Sequence, residues 1–487
     1  MACRSVVSQN KTIKNKAAGV STPAAFHQPT KEKVKYWLVV FIFLGLSSAF
    51  AQSISMEFPA FAGKTYDFVI FQGSKAEKVM QDTIPQNGKF TLTIPEKYAP
   101  YTGMCRWLLT NSETGGGIDM AIPGHDFAIS CLSDKPDNTN IVYTGFDAVN
   151  ELNRLNGEQQ KIIDRYETMS RAARLYDTTH PLYATFQKEK AVQAQAYERF
   201  HEGLKQNSNY NARFLPIVNL MQGYAHRLSD DEYEKGQLFN EYFTRHMSIQ
   251  DLYVSGHWEG IIQSWVQYQA HVVNDKDKFA QDFKALHDKM TNPAQYTDFV
   301  GKMTFYLTQY GKDDYVQAIA NEVIRSGKIT SYEGKTMQAY VTAMVGSQAP
   351  ALILTRHIGD VAAHEHEKKV LQSSDLARDG YDGTLLIFYQ SGCGPCENLM
   401  PQLSGNYELL KEKGIRLISI SADENIQVFD NTARQHPWPD KYCDEQGMNG
   451  PNFTAYGVAG TPTMFLLDAQ GRIELRAASL DDIISYL

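Results

Sequence analysis

A chain of 487 residues is too long for one ordinary hydrophobic core, and roughly 150 residues per domain predicts about three domains. Its composition, 43% hydrophobic and 21% charged, is that of a folded protein and excludes a low-complexity or disordered chain. The formal charge of −8 hides an asymmetry: residues 1–51 carry seven Lys or Arg against one Glu, which leaves the remainder near −14. Phosphate contacts need clustered Lys and Arg, so this acidic body argues against nucleic acid or an anionic membrane surface as a partner.

Residues 1–51 read as an extension and an export signal. Lys31, Lys33 and Lys35 precede the apolar run Trp37–Leu46, and Ala49-Phe50-Ala51 has the A-x-A form of a signal-peptidase site. The run is short beside the roughly 20 apolar residues of a spanning helix. Cleavage after Ala51 and a periplasmic protein are therefore expected, with membrane contact only through an uncleaved signal. No Cys follows the run, which argues against a lipoprotein anchor. The polar stretch ahead of it is long for a signal, so a true start near Val34 is an alternative that would remove Cys3.

Residues 52–146 are expected to form an antiparallel β domain, a small sandwich or barrel. Tyr66–Phe71 and Phe90–Ile94 alternate or run apolar with β-branched and aromatic residues. Asn87-Gly88 tolerates positive φ and predicts a hairpin turn. Pro123-Gly124-His125-Asp126 predicts another turn, between Ile118–Ile122 and Phe127–Cys131. Cys105 and Cys131 lie in this region, either paired or as two buried thiols.

Residues 147–345 change to helical spacing, as in Leu152, Leu155, Gln159, Ile162, Ile163 and Tyr166. Pro181, Pro216 and Pro293 punctuate long helical stretches, which predicts an all-α bundle or array without a fixed repeat. Gly346–Pro350 marks the next boundary. Residues 346–487 alternate strand and helix, the pattern of an α/β layer fold. Thr384–Tyr389 and Ile415–Ser421 read as strands buried on both faces. Glu397–Lys413 and Ile426–Gln435 read as helices. Met464–Leu467 and Ile473–Leu475 read as strands joined by the turn Asp468–Gly471, and Ser479 as the N-cap of a closing helix.

The chemistry sits at Cys393-Gly394-Pro395-Cys396, which leaves a buried strand and opens a helix. Two cysteines at this spacing can close a small disulfide ring. The first faces the free N–H groups and positive dipole end of the helix, which favours its thiolate and makes it the nucleophile. The second lies one turn in and resolves a mixed disulfide. Pro395 fits the first helical turn because its missing N–H costs little there. Zinc sites use the same spacing, but a structural site needs a second ligand pair. His436 with Cys443 is the nearby candidate, and its spacing fits poorly. Downstream, Gly457-Val-Ala-Gly-Thr461-Pro462 runs into a strand, where a cis X-Pro bond is expected. That loop is expected to face the dithiol, with the Thr461 backbone available to pair with an extended substrate segment.

On these residues, 346–487 resembles the thioredoxin superfamily, in its TlpA/ResA-like exported branch. The landmarks are Gly346–Pro350, Phe388–Cys396, Asp423 after the second strand and Gly457–Thr463. The resemblance implies a central mixed sheet flanked by helices, an exposed dithiol and a cis Pro462. The β and helical regions look like accessory domains of Gram-negative envelope proteins. Two positions depart from the family pattern. Ile387 stands where thioredoxin buries a carboxylate that serves the second cysteine, with Glu397 the candidate substitute for proton transfer. Gly392 stands where the family has Trp.

Other constellations carry less. His364-Glu-His366 lacks an i, i+4 ligand pair. Gly115–Gly117 lacks the Lys and helix of a phosphate loop. Tyr, Trp and Phe at helical spacing in the middle region, His257-Trp258 among them, read as core.

The reading is therefore a multidomain, exported thiol–disulfide oxidoreductase. Its expected partners are protein disulfides and an upstream envelope thiol reductant, and no organic cofactor or metal is implied. Gly-Pro between the cysteines resembles reducing thioredoxins. The alternatives are a disulfide oxidase or isomerase, and an envelope binding protein with a secondary dithiol.

Overall fold

A computed structural model describes residues 52–110, 116–137, 139–146, 148–338, 340–354, 369–375 and 380–487. The signal segment, Cys3, Gly115 and His364–His366 lie outside the described residues.

Among the described residues of the first region there are eight strands: β1 (Ser53–Glu57), β2 (Thr65–Gln72), β3 (Lys75–Thr83), β4 (Lys89–Thr93), β5 (Thr102–Leu109), β6 (Gly117–Pro123), β7 (Phe127–Ser130) and β8 (Val142–Thr144). They form two four-stranded sheets, ordered β4-β1-β7-β8 and β3-β2-β5-β6. Alternation does the packing. Ile54, Met56, Phe68, Ile70, Cys105, Trp107, Met120 and Ile122 are all buried in one core. Two details depart from expectation. The β1–β7 pairing is parallel, so the first sheet is mixed. Asn87-Gly88 is a turn, with Gly88 at φ +70, but it carries the chain from β3 to β4 in the opposite sheet and closes no hairpin. The hairpin turn is Gly73-Ser74, between β2 and β3. β3 escaped the sequence reading because Lys75–Thr83 is a polar edge strand with no residue fully buried.

The middle region is helical: α1 (Ala148–Ala173), α2 (Pro181–Lys205), α3 (Tyr210–Met221), α4 (Glu232–Glu241), α5 (Ile249–Tyr253), α6 (Trp258–Tyr268), α7 (Lys276–Lys289), α8 (Pro293–Gln309), α9 (Asp313–Arg325) and α10 (Lys335–Gln338). Pro181 and Pro293 each open a helix, whereas Pro216 lies inside α3. The apolar faces of α3 to α10 and of the β sheets merge in one core that runs from Ile54 to Tyr340, while α1 and α2 pack on α3 in a separate cluster of Leu155, Leu204, Ala212 and Leu215. The hairpin tip is tied into it: Gly73 N–H donates to Tyr253 O at 2.7 Å, and Ser74 N–H to Asp298 Oδ2 at 2.8 Å.

After a small two-stranded sheet of β9 (Leu352–Leu354) and β10 (Lys369–Leu371) comes a five-stranded sheet ordered β13-β12-β11-β14-β15. Its elements in chain order are β11 (Gly383–Tyr389), α11 (Gly394–Gly405), α12 (Tyr407–Glu412), β12 (Ile415–Ser421), α13 (Ile426–Ala433), β13 (Asp440–Cys443), α14 (Pro451–Ala455), β14 (Thr463–Asp468), β15 (Ile473–Ala477) and α15 (Leu480–Tyr486). β13, β12 and β11 are mutually parallel, and β14 runs antiparallel to both of its neighbours, β11 and β15. Every residue of β11 is buried, because helices cover both faces. Leu386 and Phe388 pack with Phe453, Tyr456 and Phe465. Leu385, Ile387 and Tyr389 pack with Cys396, Leu399, Met400 and Leu403 of α11.

The sheet is joined to the helical region by a buried ion pair. Arg476 Nε of β15 donates to Asp313 Oδ1 of α9 at 2.7 Å, with both side chains at most 2% exposed. Arg476 also donates to Gly457 O at 3.2 Å, while Asp313 Oδ2 and Arg476 Nη1 are buried without partners among the described residues. Removing one member leaves the other charged and desolvated. Asp313→Ala is therefore expected to cost about 3–5 kcal/mol by urea denaturation, and Asp313→Leu with Arg476→Met to recover most of it. A loss below about 1 kcal/mol for the single variant would contradict this account.

Candidate active site

β11 ends at Tyr389, and a short loop delivers Cys393 to the N-cap of α11. Asp423, 5% exposed, ties that loop down. It accepts from Ser391 N at 3.0 Å, from Ser391 Oγ at 2.7 Å and from Ser421 Oγ at 2.7 Å. The landmark Asp423 thus has a structural task that the sequence reading left open, and Ser391 is a participant that it missed. Gly392 takes φ +75 in an exposed, open position. This left-handed backbone favours glycine, which accounts for the absence of Trp there.

Cys393 is half-buried and Cys396, one turn in, is 1% exposed. Both are free, and Cys396 Sγ lies 2.7 Å from Cys393 Sγ. Gly394 and Pro395 are exposed in the first turn, which leaves one side of the dithiol open. On the other side stands the loop before β14. Thr461–Pro462 is cis, both residues are half-buried, and Cys393 Sγ donates to Thr461 O at 3.3 Å. Thr461 Oγ1 lies 3.6 Å from the same sulfur. Cys393, Cys396, Thr461 and Pro462 therefore meet at one point.

Glu397 does not join them. It is exposed on α11, while Cys396 is buried against the sheet, and no hydrogen bond links the two. Adjacent helical residues point about 100° apart, so the side chain after a buried cysteine faces out. Ile387 is fully buried on the Cys396 face of β11. With an aliphatic group there, burial pushes the Cys396 thiol up to about 12, and its hydrogen bond to Cys393 adds to this. Tyr389 shares the face, and burial, with Asp423 nearby, raises its phenol as well.

The other cysteines are apart from this chemistry. Cys105 lies in one β sheet and Cys131 just beyond a strand of the other, both buried and free. Cys443 donates to Asp423 O at 3.1 Å, and burial raises its thiol to about 12. His436 stacks on Trp438 at 4.9 Å between centroids and is pushed down to about 4 by burial, so it packs as an aromatic.

Residues 381–473 match the family model described as thioredoxin-like. The C-terminal region thus carries a thioredoxin-like domain. The chain is similar to the thiol-disulfide oxidoreductase ResA of Bacillus thuringiensis subsp. konkukian, at 30% identity over 129 residues, covering 26% of this chain and 66% of that protein. The ResA of Geobacillus kaustophilus is 27% identical over 139 residues, 27% of this chain and 67% of that one. The match to the first of these thus spans just under two thirds of the relative's length. Among solved structures, a thioredoxin-like protein from Bacteroides caccae matches at 16% identity and TM-score 0.35, covering 53% of this chain and 93% of that one. A putative thiol:disulfide interchange protein DsbE from Chlorobium tepidum matches at 25% identity and TM-score 0.24, covering 29% and 92%.

The pH behaviour of Cys396 follows from its burial. Its folded value lies above the roughly 8.5 of an unfolded thiol. The stability it contributes is therefore full below about pH 8.5 and lost as pH rises toward 12. In a Cys393→Ser protein, iodoacetamide should hardly modify Cys396 at pH 8, with the rate climbing above pH 10. Half-maximal alkylation near pH 8.5 would show an ordinary accessible thiol instead.

Proposed function

We propose that the chain is an exported thiol–disulfide oxidoreductase that reduces protein disulfides through Cys393 and Cys396. The observation that carries this reading is the meeting of a half-buried thiol at a helix N-terminus, a buried thiol 2.7 Å away, and a loop carbonyl 3.3 Å from the first sulfur. The names of the ResA relatives support the same reaction class.

The exchange runs in two displacements. The Cys393 thiolate attacks one sulfur of a substrate disulfide. The substrate S–S bond breaks, a mixed disulfide forms, and the departing substrate thiolate takes up a proton. Cys396 then loses its proton and attacks Cys393 Sγ. The substrate leaves with its second thiol, and two electrons have passed from the dithiol to the substrate. A Cys393–Cys396 disulfide remains for an upstream envelope thiol reductant to reopen. In the resting state the protonated Cys396 is a donor to Cys393 Sγ, and the Thr461 hydroxyl is a second, so the attacking sulfur gains two stabilising contacts. The backbone at Thr461 and the ring of Pro462 form the wall against which an extended substrate segment lies. The signal-like segment Trp37–Leu46 and Ala49–Ala51 supports export to the periplasm.

Trapping separates the two cysteines. Cys396→Ala should accumulate mixed disulfides through Cys393 in periplasmic extracts, seen as reductant-sensitive bands, and Cys393→Ala should accumulate none. In insulin reduction with dithiothreitol, Cys393→Ser should fall to the rate of dithiothreitol alone. Equal trapping by both variants would overturn the roles, and conjugates confined to the cytoplasmic fraction would overturn the location.

A further inference from the structure

The helical region holds a cluster of side chains that dithiol chemistry does not use. α4 ends at Glu241 and continues as a π-turn, Tyr242–His246, closed by Met247 N–H on Tyr242 O at 2.8 Å. A π-turn inserts one residue, so residues five apart share a face, and such turns recur at functional sites. Here it places Glu241 Oε1 3.8 Å from His246 Nε2. The segment after α3 brings in His226, whose ring stacks on Tyr242 at 5.8 Å and lies 5.3 Å from His246. One ligand atom from each of His226, Glu241 and His246 falls within 4.8 Å of the other two. His226 Nδ1 is buried and has no hydrogen-bond partner among the described residues.

We propose that His226, Glu241 and His246 bind a zinc ion, with the fourth coordination position left for water. Zinc bonds of about 2.0–2.1 Å set tetrahedral ligand atoms about 3.3–3.4 Å apart. The side chains therefore need to draw together by at most about 1.5 Å. Two imidazoles and one carboxylate suit zinc, whereas calcium and magnesium favour all-oxygen sites. The surroundings leave the ligand atoms available. Arg227 approaches Glu241 on its other oxygen, Oε2, at 3.7 Å. Glu202 and Lys205 of α2, which face this cluster, pair with each other at 2.8 Å. The comparable group His287, Asp288 and Glu322 differs in this respect. Lys284 already lies 3.4 Å from Asp288 and 3.2 Å from Glu322, and His287 Nδ1 is 2.8 Å from the Tyr296 hydroxyl. Metal at His226–Glu241–His246 would staple the segment after α3 to the end of α4.

The test is titration of the full mature chain, freed of metal by chelation, with Co²⁺ as the spectroscopic probe and with Zn²⁺ in competition. We expect one Co²⁺ per chain with the visible bands of a four-coordinate N/O site and without a thiolate charge-transfer band. Binding should persist in Cys393→Ser with Cys396→Ser, and weaken more than about 100-fold in His246→Ala. Zn²⁺ should raise the thermal midpoint of the wild type and leave that of His246→Ala unchanged. His246 is exposed, so its removal should spare the fold; if the midpoint in chelator falls, Glu241→Gln is read the same way. Equal binding by wild type and variant, a thiolate band, or loss of binding in the double cysteine variant would overturn the site.

Discussion

The pairing of β11 with β14 is the constraint on which the rest depends. The strands run antiparallel with Phe388 opposite Thr463, so the point where β11 leaves the sheet lies beside the point where β14 enters. Cys393 follows the first and Thr461–Pro462 precedes the second, and their meeting is a consequence of register. Register is tightly held. β11 is buried on both faces, and a one-residue slip would send Ile387 and Phe388 to the wrong layers. Gly383 adds a close approach: a Cβ there would lie 2.8 Å from Leu467 O.

The same burial sets the chemistry of the dithiol. Cys396 sits in an apolar layer with Ile387 where a carboxylate would have offered a proton acceptor. Its thiol is held neutral and gives its hydrogen to Cys393. Strong oxidants of this chemistry owe their potential to a stabilised reduced form, and a buried, neutral Cys396 thiol supplies no such stabilisation.

Much of the C-terminal architecture was legible because its signals are local. The apolar run Thr384–Tyr389, the dithiol at a strand–helix junction and the glycine-rich approach to Pro462 each carry their own periodicity or turn chemistry. Asp423 was visible as a landmark but not as the anchor of Ser391, since that bond spans distant parts of the chain. Arg476 and Asp313 gave no signal at all: each reads as an ordinary surface charge, and only the fold makes them a buried pair. In the β region, Asn87-Gly88 announced a turn correctly, but a turn dipeptide does not say whether the next strand pairs with the last or crosses to another sheet. β3 and the parallel β1–β7 contact were hidden for related reasons, one by polarity and the other by long-range pairing.

The helical region packs against the supports of the site. Arg476 holds Gly457 O at the start of the loop that carries Thr461, and Thr308 near the end of α8 lies against Gly460. The segment facing the dithiol is thus braced from the helical side. The central claim is that this braced, buried arrangement makes a reductant, and the reduction potential of the Cys393–Cys396 couple tests it most directly. Equilibration in dithiothreitol buffers, with thiol trapping and mass readout, should place the couple between about −230 and −300 mV, in the range of reducing thioredoxins. A potential near −120 mV, that of a strong disulfide oxidant, would contradict the account.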